Sequence, residues 1–136
     1  MWYFPNCIAA IDEKHCCIQA PPNSHSAFHN YKSHFSLVLM TIVNSYYHFI
    51  WVDIGDYGSL NDAGIWSNTA MKQAFENNTI SVPQARCLPN TNCPLPFSIV
   101  GDEGFPLKTY IMRSYAKRNL QSNDQKVFNY RLSRSR

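Results

Sequence analysis

Residues 35–43 (FSLVLMTIV) are the segment that most limits how this chain can fold. The run is almost wholly apolar, is rich in β-branched side chains and is short for a helix, so it predicts a strand buried on both faces. Asn44 and Ser45 then provide a turn, and residues 48–54 (HFIWVDI) predict the next strand. We therefore expect these two segments to form a β-hairpin.

Two other apolar runs also predict strands, and each of them ends on an aspartate. The first covers residues 7–11 and ends on Asp12, with residues 14–19 as a second extended piece that could continue it. The other covers residues 96–100 and ends at Gly101 and Asp102. We expect these two strands to lie side by side and parallel, so that both aspartates emerge at one end of a sheet.

Helices are predicted between and after the strands. Asn61 or Asp62 can cap a helix that extends to about Asn77, and a proline-rich connection covers residues 81–96. The remainder predicts a short helix near residues 108–112 and a longer one that starts at Ser122 or Asn123. The order β-β-β-α-β-α predicts one α/β domain over residues 1–136, in which helices pack on a mixed sheet.

Charge is distributed unevenly along the 136 residues. Residues 1–100 carry a formal charge of −2, whereas residues 101–136 carry +5. A basic segment beside an acidic site suits a bound polyanion, although charge alone favours a solvated, arginine-rich helix. The basic residues available to contact such a polyanion, and to contact nucleic acid if that is the ligand, are Lys108, Arg113, Lys117, Arg118, Arg131, Arg134 and Arg136.

The five cysteines form no pattern typical of a metal site or a disulfide framework. Their number is odd, Cys16 and Cys17 are adjacent, and no CxxC pair occurs. We therefore expect reduced thiols in an intracellular protein. The opening residues lack the features of a signal peptide, and the longest apolar stretch, residues 37–43, is too short to span a membrane.

Asp12 and Asp102 are the main candidates for chemistry. Two carboxylates at the same end of a sheet repel each other unless a cation neutralises them, and hard oxygen ligands favour Mg²⁺ or Mn²⁺. If the two strands are adjacent, we expect the carboxylates within roughly 4–7 Å of each other, close enough to share such cations. Spacing alone favours the simpler interpretation that both are ordinary strand-end aspartates.

Several other polar residues are weaker candidates. Asp53 lies inside a strand and either points into the site or bonds to a loop, and Asp62 is better explained as a helix N-cap. His15 is better explained as a packed structural side chain. Trp51 and Trp66 are expected in the core.

Residues 4–15 (FPNCIAAIDEKH) resemble the start of the nuclease domain in Harbinger-type transposases and their domesticated relatives, which usually reads FPNCIGAIDGKH. The later hallmark GDxxFPL of that family appears as residues 101–107 (GDEGFPL). Further matches follow in order over essentially the whole chain, at residues 18–24 (IQAPPNS), 30–32 (NYK), 49–55 (FIWVDIG), 57–59 (YGS), 61–62 (ND), 118–120 (RNL) and 128–134 (FNYRLSR).

The resemblance implies a metal-dependent DNA endonuclease of the DDE type with a ribonuclease-H-like fold. It makes Asp12 and Asp102 the first two ligands of a two-metal site, and places the third, a Glu, on a helix a few residues past Arg136. Glu103 and Asp124 are not at that position. We therefore expect the domain to be incomplete at its C-terminus, and residues 1–136 by themselves to bind DNA weakly but to cleave it negligibly.

The same resemblance implies a nuclear location, with the cytoplasm as a second location, and a separate Myb-like partner for DNA binding. The chain departs from the family pattern at Glu13 and Ala9, where glycine is usual, and at Asn44, where aspartate is common. These departures keep open a second function, that of a catalytically inactive transposon remnant or a domesticated module that binds DNA or protein.

Overall fold

The computed structural model describes residues 4–116, 118 and 122–136. These residues form a five-stranded mixed sheet, a separate two-stranded hairpin and three α-helices. In chain order the elements are β1 (Cys7–Cys17), β2 (Ser36–Val43), β3 (Phe49–Tyr57), α1 (Asp62–Asn68), α2 (Ala70–Glu76), β4 (Arg86–Cys87), β5 (Pro94–Leu95), β6 (Ser98–Gly101), β7 (Ile111–Arg113) and α3 (Asn123–Ser133). None of the described helices has the length and apolarity needed to cross a bilayer.

The strands of the large sheet are arranged in the order β3-β2-β1-β6-β7. The β1–β2 and β2–β3 pairs are antiparallel, whereas β1–β6 and β6–β7 are parallel. The prediction that the strands before Asp12 and Asp102 are parallel neighbours is therefore confirmed. So is the predicted fold class, an α/β fold with a ribonuclease-H-like mixed sheet flanked by helices.

Strand β1 is longer than the sequence predicted. It is one continuous strand to Cys17, so Asp12 lies in the middle of a strand and not at its end. The reason is that β2 pairs with β1 from Ala10 to Cys17 and keeps it extended beyond the last residue of β6. In the same way, β3 continues to Tyr57, three residues past the strand predicted for residues 48–54.

The single helix predicted for residues 62–77 is in fact two short helices, which Thr69 separates. Thr69 is extended (φ −76°, ψ 145°) and ends α1 while it caps α2. Its hydroxyl donates to the carbonyl oxygen of Trp66 (2.9 Å) and accepts from the backbone N–H of Lys72 (3.1 Å). A threonine that satisfies both helix ends makes this interruption stable.

The segment near residues 108–112 was wrongly predicted to be a helix. Residues 111–113 instead form β7, in which Ile111 is fully buried opposite Ile99 of β6. The long α3 is confirmed, and Ser122 begins it with a capping box that also involves Gln125. Within the proline-rich connection, the β4–β5 hairpin is tied to the start of β1 because the Asn6 side chain donates to two of its carbonyl oxygens.

The main core lies on the sheet face that α1 and α2 cover. Ile11 of β1, Met40 and Ile42 of β2, and Ile65 and Trp66 of α1 are among its buried members. Trp51 packs edge-on against Trp66, which confirms the core position predicted for both tryptophans. Because side chains alternate along a strand, Glu13 follows Ile11 on this face, whereas Asp12 points to the opposite face.

Candidate metal centre

Asp12 and Asp102 are brought to the same level of the sheet by the parallel pairing of β1 and β6. Ala10 is the partner of Val100, and each aspartate lies two residues farther along its own segment. Strand β6 ends at Gly101, so Asp102 begins the turn that follows. There its Oδ1 accepts a hydrogen bond from the backbone N–H of Gly104 (2.8 Å), which fixes the carboxylate at the strand end.

One guanidinium nitrogen links the two aspartates. Nη2 of Arg136 lies 3.3 Å from Oδ1 of Asp12 and 3.9 Å from Oδ2 of Asp102. The Asp12 and Asp102 oxygens are therefore at most about 7 Å apart, a gap that two neighbouring divalent ions could fill. The structure thus brings the two predicted ligands together, and their role as metal ligands stays a prediction.

A second group of carboxylates shares Asp102 with this pair. One oxygen from each of Glu13, Asp62 and Asp102 lies within 4.8 Å of the others. Asp62 is the first residue of α1, and the N-cap is Asn61, whose Oδ1 accepts from the N–H of Gly64 (2.7 Å). The simpler explanation of Asp62 as the N-cap is therefore wrong, and its side chain is directed to the carboxylate group.

Sequence reasoning treated Glu13 only as a departure from a family pattern. Its proximity to Asp62 depends on where α1 begins relative to β1, which the sequence does not specify. The adjacent acids at positions 12 and 13 are the sequence feature that could have pointed to Glu13 as a member of the carboxylate group. Since neighbours in a strand face opposite sides, Asp12 and Glu13 approach Asp102 from the two faces of the sheet.

Gly104 explains how the turn after β6 can close on these acids. A Cβ atom at this position would lie 2.2 Å from Oδ2 of Asp62 and 3.0 Å from Oδ1 of Asp102. Any larger residue would have to push Asp62 away or open the turn. Glycine is therefore needed for the close approach of Asp62 to Asp102.

Burial and mutual repulsion raise the pKa values of two of these carboxylates, Glu13 and Asp62. Burial is the main cause that raises the pKa of Glu13 from an ordinary 4.5 to about 7, and the negative charges of Asp62, Asp12 and Asp102 contribute to the same rise. Burial and the charge of Asp102 also raise the pKa of Asp62. A divalent cation relieves this repulsion, and ligands that are all carboxylate oxygens fit Mg²⁺ or Mn²⁺.

Two other candidates lie outside both groups. Asp53 is on the same face as Glu13, but Met40 of β2 stands between them in the paired register. His15 accepts or donates a hydrogen bond at Nδ1 with the buried Ser36 hydroxyl (2.8 Å) and packs edge-on against Tyr31. Burial lowers the pKa of His15, so this residue is a packed structural histidine, as predicted.

Some of the predicted DNA-contacting residues lie close to the carboxylates. Arg113 and Arg118 line a cleft of about 530 Å³ together with Glu103 and Gly104, the residues that follow Asp102. Arg113 also has a structural role, because its Nη1 donates to the carbonyl oxygens of Glu103 (3.1 Å) and Phe105 (3.0 Å). This clamp holds the turn that carries Asp102.

The other basic candidates are more scattered. Lys108 lies 3.9 Å from Glu76 and borders a groove beside α2, and Arg131 borders a different, apolar groove between α3 and the β4–β5 region. Arg134 is exposed at the end of α3. Lys117 lies outside the described residues.

Comparison with known proteins gives the family. No solved structure matches the chain significantly. The chain is similar to Protein ALP1-like of Arabidopsis thaliana, with 30% identity over 117 residues, which are 82% of this chain and 28% of that protein. The chain thus spans less than a third of this relative. The family model described as DDE superfamily endonuclease matches residues 11–136, and the chain belongs to that family.

Proposed function

We propose that this domain is a metal-dependent DNA endonuclease of Harbinger-type transposase origin. The observation that carries the proposal is the meeting of Asp12 and Asp102 around one cation position, in a chain of the DDE endonuclease family. Asp12 and Asp102 would hold the divalent ions, and Asp102 also belongs to the group that it forms with Glu13 and Asp62. When bound, two such ions supply activation of a water molecule and neutralisation of a phosphodiester.

The residues around the carboxylates have distinct tasks in this proposal. The Gly104 N–H orients Asp102, and Arg113 keeps the following turn in place. Arg113 and Arg118 give the adjacent cleft a positive lining that suits the phosphates of a DNA backbone. Contacts of this kind position DNA without reading its sequence, so we include a separate Myb-like DNA-binding partner and a nuclear location in the proposal.

A second candidate function is DNA or protein binding without cleavage. It is favoured by Arg136, whose guanidinium forms ion pairs with both Asp12 and Asp102 in this structure. Metal binding separates the two functions. Calorimetric titration with Mn²⁺ is expected to show binding that Asp102→Asn removes and that Glu103→Gln, the loss of an exposed neighbouring carboxylate, leaves intact. Absence of Mn²⁺ binding in the unmutated protein would contradict the endonuclease proposal.

Cleavage is the direct test of the activity. Supercoiled plasmid is incubated with Mg²⁺ or Mn²⁺ and either residues 1–136 or a gene product extended past Arg136, because the resemblance places the third carboxylate on the helix that follows. Nicking that Asp102→Asn lowers by roughly a thousandfold supports the enzyme. Plasmid that is bound and stays intact in both forms supports the binding module.

A further inference from the structure

We infer that Arg136 couples the binding of metal to the binding of DNA. The inference rests on the proposed function and adds a role for a residue that is neither a metal ligand nor a part of the cleft beside Gly104. In the metal-free state, Arg136 supplies the positive charge between Asp12 and Asp102. When DNA binds, a backbone phosphate pairs with the Arg136 guanidinium in place of the two carboxylates. The carboxylate oxygens are then free to bind the divalent ion.

The backbone that leads to Arg136 is held in place, so its contact with the carboxylates has a fixed origin. Leu132 and Ser135 are buried at the end of α3. The Ser135 hydroxyl donates to the carbonyl oxygen of Arg131 (3.1 Å), and its N–H donates to that of Leu132 (2.9 Å). The next side chain therefore extends toward Asp12 from an anchored helix end.

The position of the guanidinium makes it a competitor of the metal. Its Nη2 is 3.3 Å from an Asp12 oxygen and 3.9 Å from an Asp102 oxygen, so the guanidinium occupies the space between the two carboxylates that a shared cation would need. A divalent ion and a guanidinium at such distances from the same oxygens repel each other strongly. Metal binding therefore requires the Arg136 guanidinium to move away from the carboxylates. The free energy needed to break its ion pairs lowers the affinity for metal.

A DNA phosphate is a suitable new partner for the displaced side chain. Arginine binds phosphate through two parallel hydrogen bonds, and the Arg136 side chain is about one-third exposed and can be reached from solvent. DNA that pairs with Arg136 removes the competitor of the metal. By linkage, bound metal must then strengthen DNA binding by the same factor.

The test is a Mn²⁺ titration of the whole chain, followed by the electron paramagnetic resonance signal of free Mn²⁺, with and without a short DNA duplex. Arg136→Gln is compared with Lys126→Gln, which removes the same charge from an exposed position on α3 that forms no ion pair among the described residues. Without DNA, Arg136→Gln is expected to bind Mn²⁺ roughly tenfold more tightly than the unmutated protein, and Lys126→Gln about equally. Circular dichroism shows whether each variant is folded.

The duplex provides the second half of the test, after subtraction of the Mn²⁺ that it binds alone. It is expected to increase the Mn²⁺ affinity of the unmutated protein and of Lys126→Gln, but not that of Arg136→Gln. Unchanged or weaker Mn²⁺ binding by folded Arg136→Gln, or an equal effect of DNA on all three proteins, would overturn the coupling while the metal centre stands. Failure of all three proteins to bind Mn²⁺ would overturn the metal centre and the coupling together.

Discussion

Replacing Glu13 with glutamine should stabilise the metal-free protein, and the gain should depend on pH. The substitution keeps the shape of the side chain and removes a charge that Asp62, Asp12 and Asp102 repel. In the folded protein the pKa of Glu13 is raised from 4.5 to about 7. The unfolded chain therefore loses this proton at lower pH than the folded chain does. The raised pKa of Glu13 therefore costs stability increasingly as the pH rises from 4.5 to 7, and the cost is constant above that range.

The shift from 4.5 to about 7 gives the size of the effect. Each pKa unit corresponds to about 1.4 kcal/mol, so the unscreened cost at pH 8 would be roughly 3.4 kcal/mol. Glu13 is only half-buried, and solvent screening reduces this figure to about 1–2 kcal/mol. For a domain of this size, that range raises the melting temperature by about 5 °C.

The assay is thermal unfolding in the presence of a chelator at pH 5 and pH 8. Glu13→Gln is compared with the unmutated protein and with Glu103→Gln, which neutralises an exposed carboxylate in the nearby turn. The advantage of Glu13→Gln should be small at pH 5 and close to its full value at pH 8, and Glu103→Gln should show no such trend. An advantage that does not grow with pH would refute the electrostatic argument.

Three further predictions concern individual contacts. Gly104→Ala should weaken Mn²⁺ binding and lower stability by less than about 1 kcal/mol, because its Cβ would lie 2.2 Å from the end of the Asp62 side chain, which must turn away; an unaltered titration curve would contradict this. Ser122→Ala should lower the free energy of unfolding in urea by about 1 kcal/mol through loss of the α3 capping box, whereas Ser122→Asp should retain most of it. Arg118→Gln should weaken DNA binding equally for unrelated sequences and reduce the slope of log affinity against log salt by about 1, and a change confined to one sequence would argue against a phosphate contact.

The sequence was sufficient for those parts of the fold that local patterns determine. The buried run before Asn44 and the apolar run that ends at Asp102 are strands, because uninterrupted apolar residues need cover on both faces. The parallel pairing that places Asp12 near Asp102 was also predicted. The start of α3, predicted at Ser122 or Asn123, was also correct.

Other features depend on tertiary contacts that a local pattern does not contain. Residues 111–113 form a strand because Ile111 packs opposite Ile99, a contact that outweighs the weak helical signal around them. The helix break at Thr69 depends on a hydroxyl that serves two helix ends at once. The membership of Glu13 and Asp62 in the carboxylate group depends on the placement of α1 over the sheet, which no single segment specifies.

The parallel pairing of β1 with β6 also has a consequence for the order in which the protein folds. The antiparallel pairs β1–β2 and β2–β3 join neighbouring strands, but Ala10 and Val100 are partners across 90 positions of the chain. Closing so long a loop carries a large entropic cost, so this pairing is expected to form late. Asp12 and Asp102 do not meet before that step. A divalent ion that needs both aspartates would therefore slow unfolding and leave the early collapse of the chain unaffected. The time at which metal binds during refolding would then report when β1 and β6 have paired.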